Sequence, residues 1–177
     1  MKRRKLLVEE LNRVSIEEFQ EIRKIPLTIV LDNIRSQHNI GSVFRTSDAF
    51  LVEEIILCGI TATPPNVEIH KTALGSEDSV KWSYREDSLE VVNQLRDNGY
   101  VVYAVEQAEN SLMLDQIEVD NSKKYALVLG HEVHGVQQSV IDVCHNCIEI
   151  PQFGTKHSLN VSVAGGIVIW DFFKMLR

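Results

Sequence analysis

Apolar positions in this chain switch repeatedly between two periods. Across residues 2–25, Leu6, Leu7, Leu11, Val14, Ile16, Phe19 and Ile22 recur three or four apart, which predicts helix. Ser15 followed by Glu18 has the form of a capping box and predicts a second helix start inside that segment. Pro26 closes it. Residues 27–31 are then almost continuously apolar, as expected of a parallel strand covered on both faces. Similar strand signals recur at 53–57, 79–84, 100–105, 125–129 and 147–150. Helical stretches lie between them: Ile40 to about Phe50, a short helix after Thr63-Pro64-Pro65-Asn66 with Gly75 as C-cap, then 88–98, 136–143 and 159–176. The last is apolar over most of one face. It also carries Ser162, Ala164, Gly165 and Gly166, small residues that allow a close helix neighbour. Strands alternate with helices, without repeats or linkers. The predicted class is α/β with a mainly parallel sheet and helices on both faces. The division is a helical extension at 1–25 and one domain at 26–177.

Parallel strands bring their carboxyl ends to one sheet edge, and ligands of open α/β sheets bind there. Three polar loops leave strands at that edge. Strand 125–129 runs into Gly130-His131-Glu132-Val133-His134-Gly135. Strand 147–150 runs into Pro151 and a polar loop that ends at Ser158-Leu159-Asn160. Strand 27–31 runs into Asp32 through Ser42, which brings Arg35, His38 and Arg45 near a helix start. Free backbone N–H groups and arginines together suit a phosphate or RNA site. Equally, Asn39 is a natural helix N-cap and Arg45 a solvated helix-face charge. Ser158 reads as the N-cap of the last helix.

Composition narrows the function. The 177 residues are 44% hydrophobic and 24% charged, ordinary for a soluble globular domain. No apolar run is long enough to span a membrane, and the run after the basic N-terminus is too short for a secretory signal. Three cysteines fit a reduced compartment, so the expected location is the cytoplasm. A net charge of −7 argues against gripping nucleic acid with the whole surface. Local basic groups remain: Lys2-Arg3-Arg4-Lys5, Arg13, Arg23 and Lys24, on a segment that either packs on the domain or contacts RNA. Metal binding is not expected, because Cys144-x-x-Cys147 has no second pair to complete four ligands, although His131, His134 and His157 are available. A nucleophilic serine is disfavoured, because Gly-x-Ser-x-Gly is missing and Ser158 reads better as a helix N-cap. Neither a dinucleotide fingerprint nor a P-loop is present. Gly130 and Gly135 instead allow backbone to approach a ligand closely, with Ile150 and Leu159 as apolar walls. Such a site suits a flat purine with a compact polar tail.

Three segments resemble the signature motifs of the SpoU (TrmH) family of the SPOUT superfamily. They are residues 33–46 (NIRSQHNIGSVFRT), 127–136 (LVLGHEVHGV) and 148–164 (IEIPQFGTKHSLNVSVA). The resemblance covers about residues 26–175. It implies a C-terminal deep trefoil knot, S-adenosylmethionine as cofactor, a homodimer, and methyl transfer to a ribose 2′-hydroxyl of RNA. It implies cofactor contacts at Val105, Gly130, Glu132, Gly135, Ile150, Ser158 and Leu159. Catalytic roles fall on Arg45, Asn39, Glu132, Ser158 and Asn160, and RNA contacts on Arg35, His38, Asn39 and Arg45. Members with large extra RNA-binding domains differ from this chain, where only residues 1–25 are available for that task. A compact single-domain dimer suits tRNA better than rRNA. A base-methylating relative and a non-catalytic RNA-binding module are the competing readings.

Overall fold

The computed structural model describes residues 3–11 and 13–177. Lys2 of the basic run and Asn12 of the expected N-terminal helix lie outside the described residues. A 3-10 turn (Val8–Leu11) and α1 (Ile16–Glu21) precede β1 (Ile25–Asp32) and α2 (Gln37–Ala49). Next come β2 (Val52–Cys58), α3 (Val67–Ala73), α4 (Ser76–Ser79), β3 (Trp82–Arg85), α5 (Ser88–Asp97) and β4 (Tyr100–Val105). The chain ends with β5 (Leu112–Met113), β6 (Lys124–Gly130), α6 (Gln138–Ile141), β7 (Asn146–Glu149) and α7 (Val161–Leu176).

Among the described residues one sheet of seven strands forms in the order β3-β2-β1-β6-β4-β7-β5. Every ladder pair in it is parallel. The chain builds outward from β1 to β3, returns to the other side at β4, and inserts β6 between β1 and β4. The direction of strand order therefore switches beside β1 and β6, where a crevice opens at their carboxyl ends.

The period-two pleat of β1 sorts its side chains between two cores. Leu27, Ile29 and Leu31 pack with residues of α2, α3 and α7 on one face. Val30 faces the other way, among Val91 and Val92 of α5 and Val140 of α6. Helices therefore cover both faces. On the first face, fully buried Phe172 of α7 meets the rings of Tyr103 and Tyr125 nearly edge-on. Gly165 permits this seating, because a Cβ there would press into the Leu129 side chain.

Several local expectations need correction. In the N-terminal segment the second helix starts after Ser15 as expected but runs only six residues as α1, and the described residues before it hold a 3-10 turn in place of the first helix. Leu6, Leu7 and Leu11 are exposed, so no buried face supports a longer helix there. The capping box is present: Ser15 and Glu18 each bond the other's backbone N–H. Residues 79–84 are not one strand. A helical turn, α4, ends at Ser79, whose hydroxyl bonds Asp48, and β3 starts only at Trp82. Leu74, not Gly75, is the αL C-cap of α3. The helix expected at 136–143 shrinks to the single turn of α6. Carboxylates from elsewhere capture the Val136 and Gln137 amides and hold the chain extended until there. The short strand β5 had no sequence signal of its own.

Candidate active site

The carboxyl ends of β4, β6 and β7 and the start of α7 enclose a cavity of about 440 Å³. That volume is within the range of small-molecule sites. Val105, Gly130, Glu132, Gly135, Ile150, Ser158 and Leu159 all line it. Val105, Ile148, Ile150 and Leu159 supply apolar wall, and the turn after β6 supplies exposed main chain. That turn is tight. The His131 N–H donates to the Gly135 carbonyl at 3.0 Å, and the Gly135 N–H returns a bond to the His131 carbonyl at 2.8 Å. Gly130 makes the turn possible, since a Cβ on it would collide with the backbone of Gly135 and Val136.

Beside the cavity, side chains from three elements form one hydrogen-bonded chain. Glu132 accepts bonds from the backbone N–H groups of Arg35 (3.0 Å) and Ser36 (2.8 Å) and from the Asn39 amide (2.9 Å). The Asn39 carbonyl oxygen accepts from the Asn160 amide at 3.1 Å. Asn160 in turn caps α7 through the Ser162 N–H at 2.9 Å. Asn39 is thus no helix cap. Ser36 caps α2 instead, three residues earlier than expected, and leaves the Asn39 side chain free for the site. Likewise Asn160, not Ser158, caps α7. Ser158 is exposed at the cavity wall.

Burial pushes the Glu132 carboxyl up, but the Arg35 N–H, the Asn39 amide and the N–H groups of Glu132 and Ser36 outweigh it. They hold the carboxyl below its ordinary value. A carboxylate with a depressed folded pKa adds stability that is complete above the unfolded value and lost as pH falls through the folded one. Glu132→Gln should therefore destabilise the protein at neutral pH by about 1 kcal/mol after solvent screening. Denaturant titrations across the acid range should show the gap to wild type closing below the ordinary carboxylate range. A gap independent of pH would contradict this role for Glu132.

The structure does not bring the arginines into the cavity. Arg35 and Arg45 are exposed, and Arg45 lies beside α3 in a separate depression. His38 is also exposed and meets Glu68 at 3.0 Å. Two groups escaped the sequence reading. Glu106, the first residue beyond β4, lines the cavity and accepts the N–H groups of Val136 and Gln107, both at 3.0 Å. Its position at the carboxyl end of a parallel strand was a usable signal. Gln107 then donates to the His157 carbonyl at 2.9 Å and ties two walls of the cavity together. Cys144 and Cys147 lie outside the cavity lining, and burial pushes the Cys144 thiol up to about 12. Among the described residues no cluster of three or more His, Cys, Asp or Glu side chains could hold a metal ion.

A family model described as the SpoU rRNA Methylase family matches residues 26–170. The chain belongs to that family. It is 33% identical over 162 residues to a tRNA (guanosine(18)-2′-O)-methyltransferase of Thermus thermophilus, covering 92% of this chain and 81% of the relative. Its fold superposes on the A. aeolicus TrmH/SpoU tRNA modifying enzyme with a TM-score of 0.80 at 24% identity, over 90% of this chain and 81% of the other. An AdoMet-bound rRNA methyltransferase from Sinorhizobium meliloti gives a TM-score of 0.79 at 27% identity, over 90% of this chain and 60% of that one. The loops that wall the cavity belong to the segments 127–136 and 148–164, both within the matched range. The segment 33–46 supplies Asn39 to the hydrogen-bonded chain beside it.

Proposed function

We propose that the protein transfers a methyl group from S-adenosylmethionine to a ribose 2′-hydroxyl of RNA, with tRNA as the substrate class. One observation carries this reading: all three SpoU motifs meet at one sheet edge, around a main-chain-lined cavity with Asn39, Glu132 and Asn160 bonded together at its rim. The Thermus relative, a tRNA (guanosine(18)-2′-O)-methyltransferase, favours tRNA. Labelled S-adenosylmethionine offered with total tRNA and, separately, total rRNA tests the assignment. Label is expected in the tRNA pool, and label confined to rRNA would overturn the choice of substrate.

The residues present fit this cofactor. The cavity has room for it, its apolar walls suit a purine, and the folded-back turn at 130–135 offers backbone groups to polar atoms. When bound, S-adenosylmethionine supplies an activated methyl on a sulfonium, so the protein's contribution is positioning. A 2′-hydroxyl is a weak nucleophile until its developing charge is stabilised. Arg45 is suited to that task. A guanidinium does not give up its proton, and its fork grips phosphate while lowering the hydroxyl's pKa. Glu132 is ionised and spends its oxygens on Arg35, Ser36 and Asn39, so it positions the first loop and does not act as a base. Asn39 and Asn160 hold that loop against the start of α7.

The separation of Arg45 from the cavity supports a site completed by a second copy of the chain. The surface of α7 supports the same reading. Val163, Ile167 and Trp170 are 51%, 39% and 46% exposed and form one stripe at helical spacing. Gly166 beside them faces open space and leaves room for the backbone of a second helix to come close. The protein is accordingly a homodimer packed through α7. Light scattering should give twice the chain mass, and Ile167→Asp should give a monomer. A wild-type monomer would contradict the interface. The C-terminal segment from β7 through α7 threads a loop as the family's trefoil knot. The Gln107–His157 bond and the tight 131–135 turn are consistent with such packing. No helix among the described residues is long and apolar enough to cross a membrane.

A further inference from the structure

His38, Ser42, Arg45 and Ala49 fall on one stripe of α2, at spacings of four, three and four. Helix α3 lies close against α2 because Gly41 has no side chain. A Cβ there would collide with the Ile69 carbonyl and the Thr72 hydroxyl. Thr72 fastens the contact by donating its hydroxyl to the His38 carbonyl at 2.9 Å. An open depression results, separate from the cofactor cavity, lined by Ser42, Arg45, Thr46, Phe50, Lys71 and Thr72. It combines two cations with three hydroxyls, and among the described residues its lining includes no carboxylate.

The acid that balances it stands at the rim. Glu68, one turn before Lys71 on α3, accepts the Lys71 ammonium at 2.6 Å on one oxygen and meets His38 at 3.0 Å with the other. All three side chains are well exposed, at 44% for Glu68 and 58% for Lys71 and for His38. Ion pairs of this kind are weak and screened by salt. Lys71 is therefore held ready beside Arg45 and can exchange its carboxylate for another anion at little cost.

We propose that this depression is a binding subsite for an RNA backbone phosphodiester, in which Lys71 joins Arg45 on the phosphate and Glu68 is the counter-ion that RNA displaces. The inference rests on the RNA methyltransferase reading. The chemistry matches the ligand: a guanidinium fork takes two phosphate oxygens and an ammonium adds a point charge, while the Ser42, Thr46 and Thr72 hydroxyls spend their protons on the His38 and Ser42 carbonyls and line the depression without adding charge. Displacing Glu68 also frees His38 to face the same strand. A local cationic subsite of this kind lets an acidic protein hold RNA without a basic surface.

The test measures binding of host tRNA and of S-adenosylmethionine across a series of KCl concentrations. Lys71→Ala should weaken tRNA binding about three- to tenfold and lower the slope of log affinity against log salt by about one. It should leave cofactor affinity unchanged. Lys71→Arg should retain most of the binding, and Glu68→Gln should strengthen it at low salt. The exchanged pair Glu68→Lys with Lys71→Glu separates a ligand from a structural contact. It preserves an ion pair yet moves the cation out of the depression, so it should bind tRNA no better than Lys71→Ala. Wild-type affinity and slope in Lys71→Ala, or restoration by the exchanged pair, would overturn the subsite while leaving the methyltransferase reading intact. A wild-type protein that binds no RNA at all would overturn both.

Discussion

Gly130→Ala is expected to lose about ten- to a hundredfold in affinity for S-adenosylmethionine while the protein stays folded. Gly130 ends β6, and the chain then doubles back at once through the paired His131 and Gly135 backbones. A methyl group at Gly130 meets the carbonyl carbon of Gly135 and the nitrogen of Val136. Both are backbone atoms and cannot rotate aside as a side-chain tip would. The Val136 nitrogen is further held by Glu106 at 3.0 Å. Relief must come from opening the turn that walls the cavity. Overpacking of this kind costs about 1–3 kcal/mol, which is the stated loss if all of it falls on the bound conformation. The β6 ladder to β1 and β4 lies mostly upstream and keeps its buried Leu127 and Leu129. Calorimetric titration with the cofactor, beside a thermal melt, separates the two effects. Wild-type cofactor affinity in a folded variant would refute the role given to the turn.

Arg45→Ala should have the larger effect on turnover and almost none on cofactor binding. Loss of one preorganised donor aimed at developing charge costs about a hundred- to a thousandfold in kcat. Arg45 is exposed on α2 and does not line the cofactor cavity. Its removal leaves the cavity walls and the Glu132–Asn39–Asn160 chain in place. Single-turnover transfer measured beside cofactor titration gives the answer. A collapse in cofactor affinity would mean that Arg45 reaches the cavity in the assembled enzyme by a route a single chain does not display.

The parts of the fold legible in the sequence were those set by local pattern. The apolar run at 27–31 gave a strand buried on both faces, because parallel strands under helices leave no polar side. The glycines and polar residues after β6 and β7 marked one edge, because parallel strands share it. What escaped depends on partners far away in the chain. Asn39 looked like a helix cap. Only the fold shows that Ser36 takes that place and that Glu132, more than ninety residues later, claims the Asn39 amide. The helix expected after Val136 is cut short by Glu106 and by Asp32. Asp32 is fully buried and accepts the Gln137 backbone N–H at 2.9 Å and the Ser88 hydroxyl at 2.7 Å. Gly41 carries no local turn signal, yet it sets how closely α3 approaches α2. In the N-terminal segment only Phe19 of α1 reaches the core, while Leu6, Leu7, Leu11, Val14 and Ile16 keep the helical spacing but stay exposed.

The most direct measurement is the position of the methyl group. RNA labelled by the protein from S-adenosylmethionine is hydrolysed in alkali, and the products are separated. Transfer to a ribose 2′-hydroxyl leaves the label in an alkali-resistant dinucleotide, which is the predicted result. Label on a mononucleotide base would contradict ribose chemistry at this site. No transfer to either RNA pool, with cofactor bound, would mean that the cavity serves an RNA-binding protein without this activity.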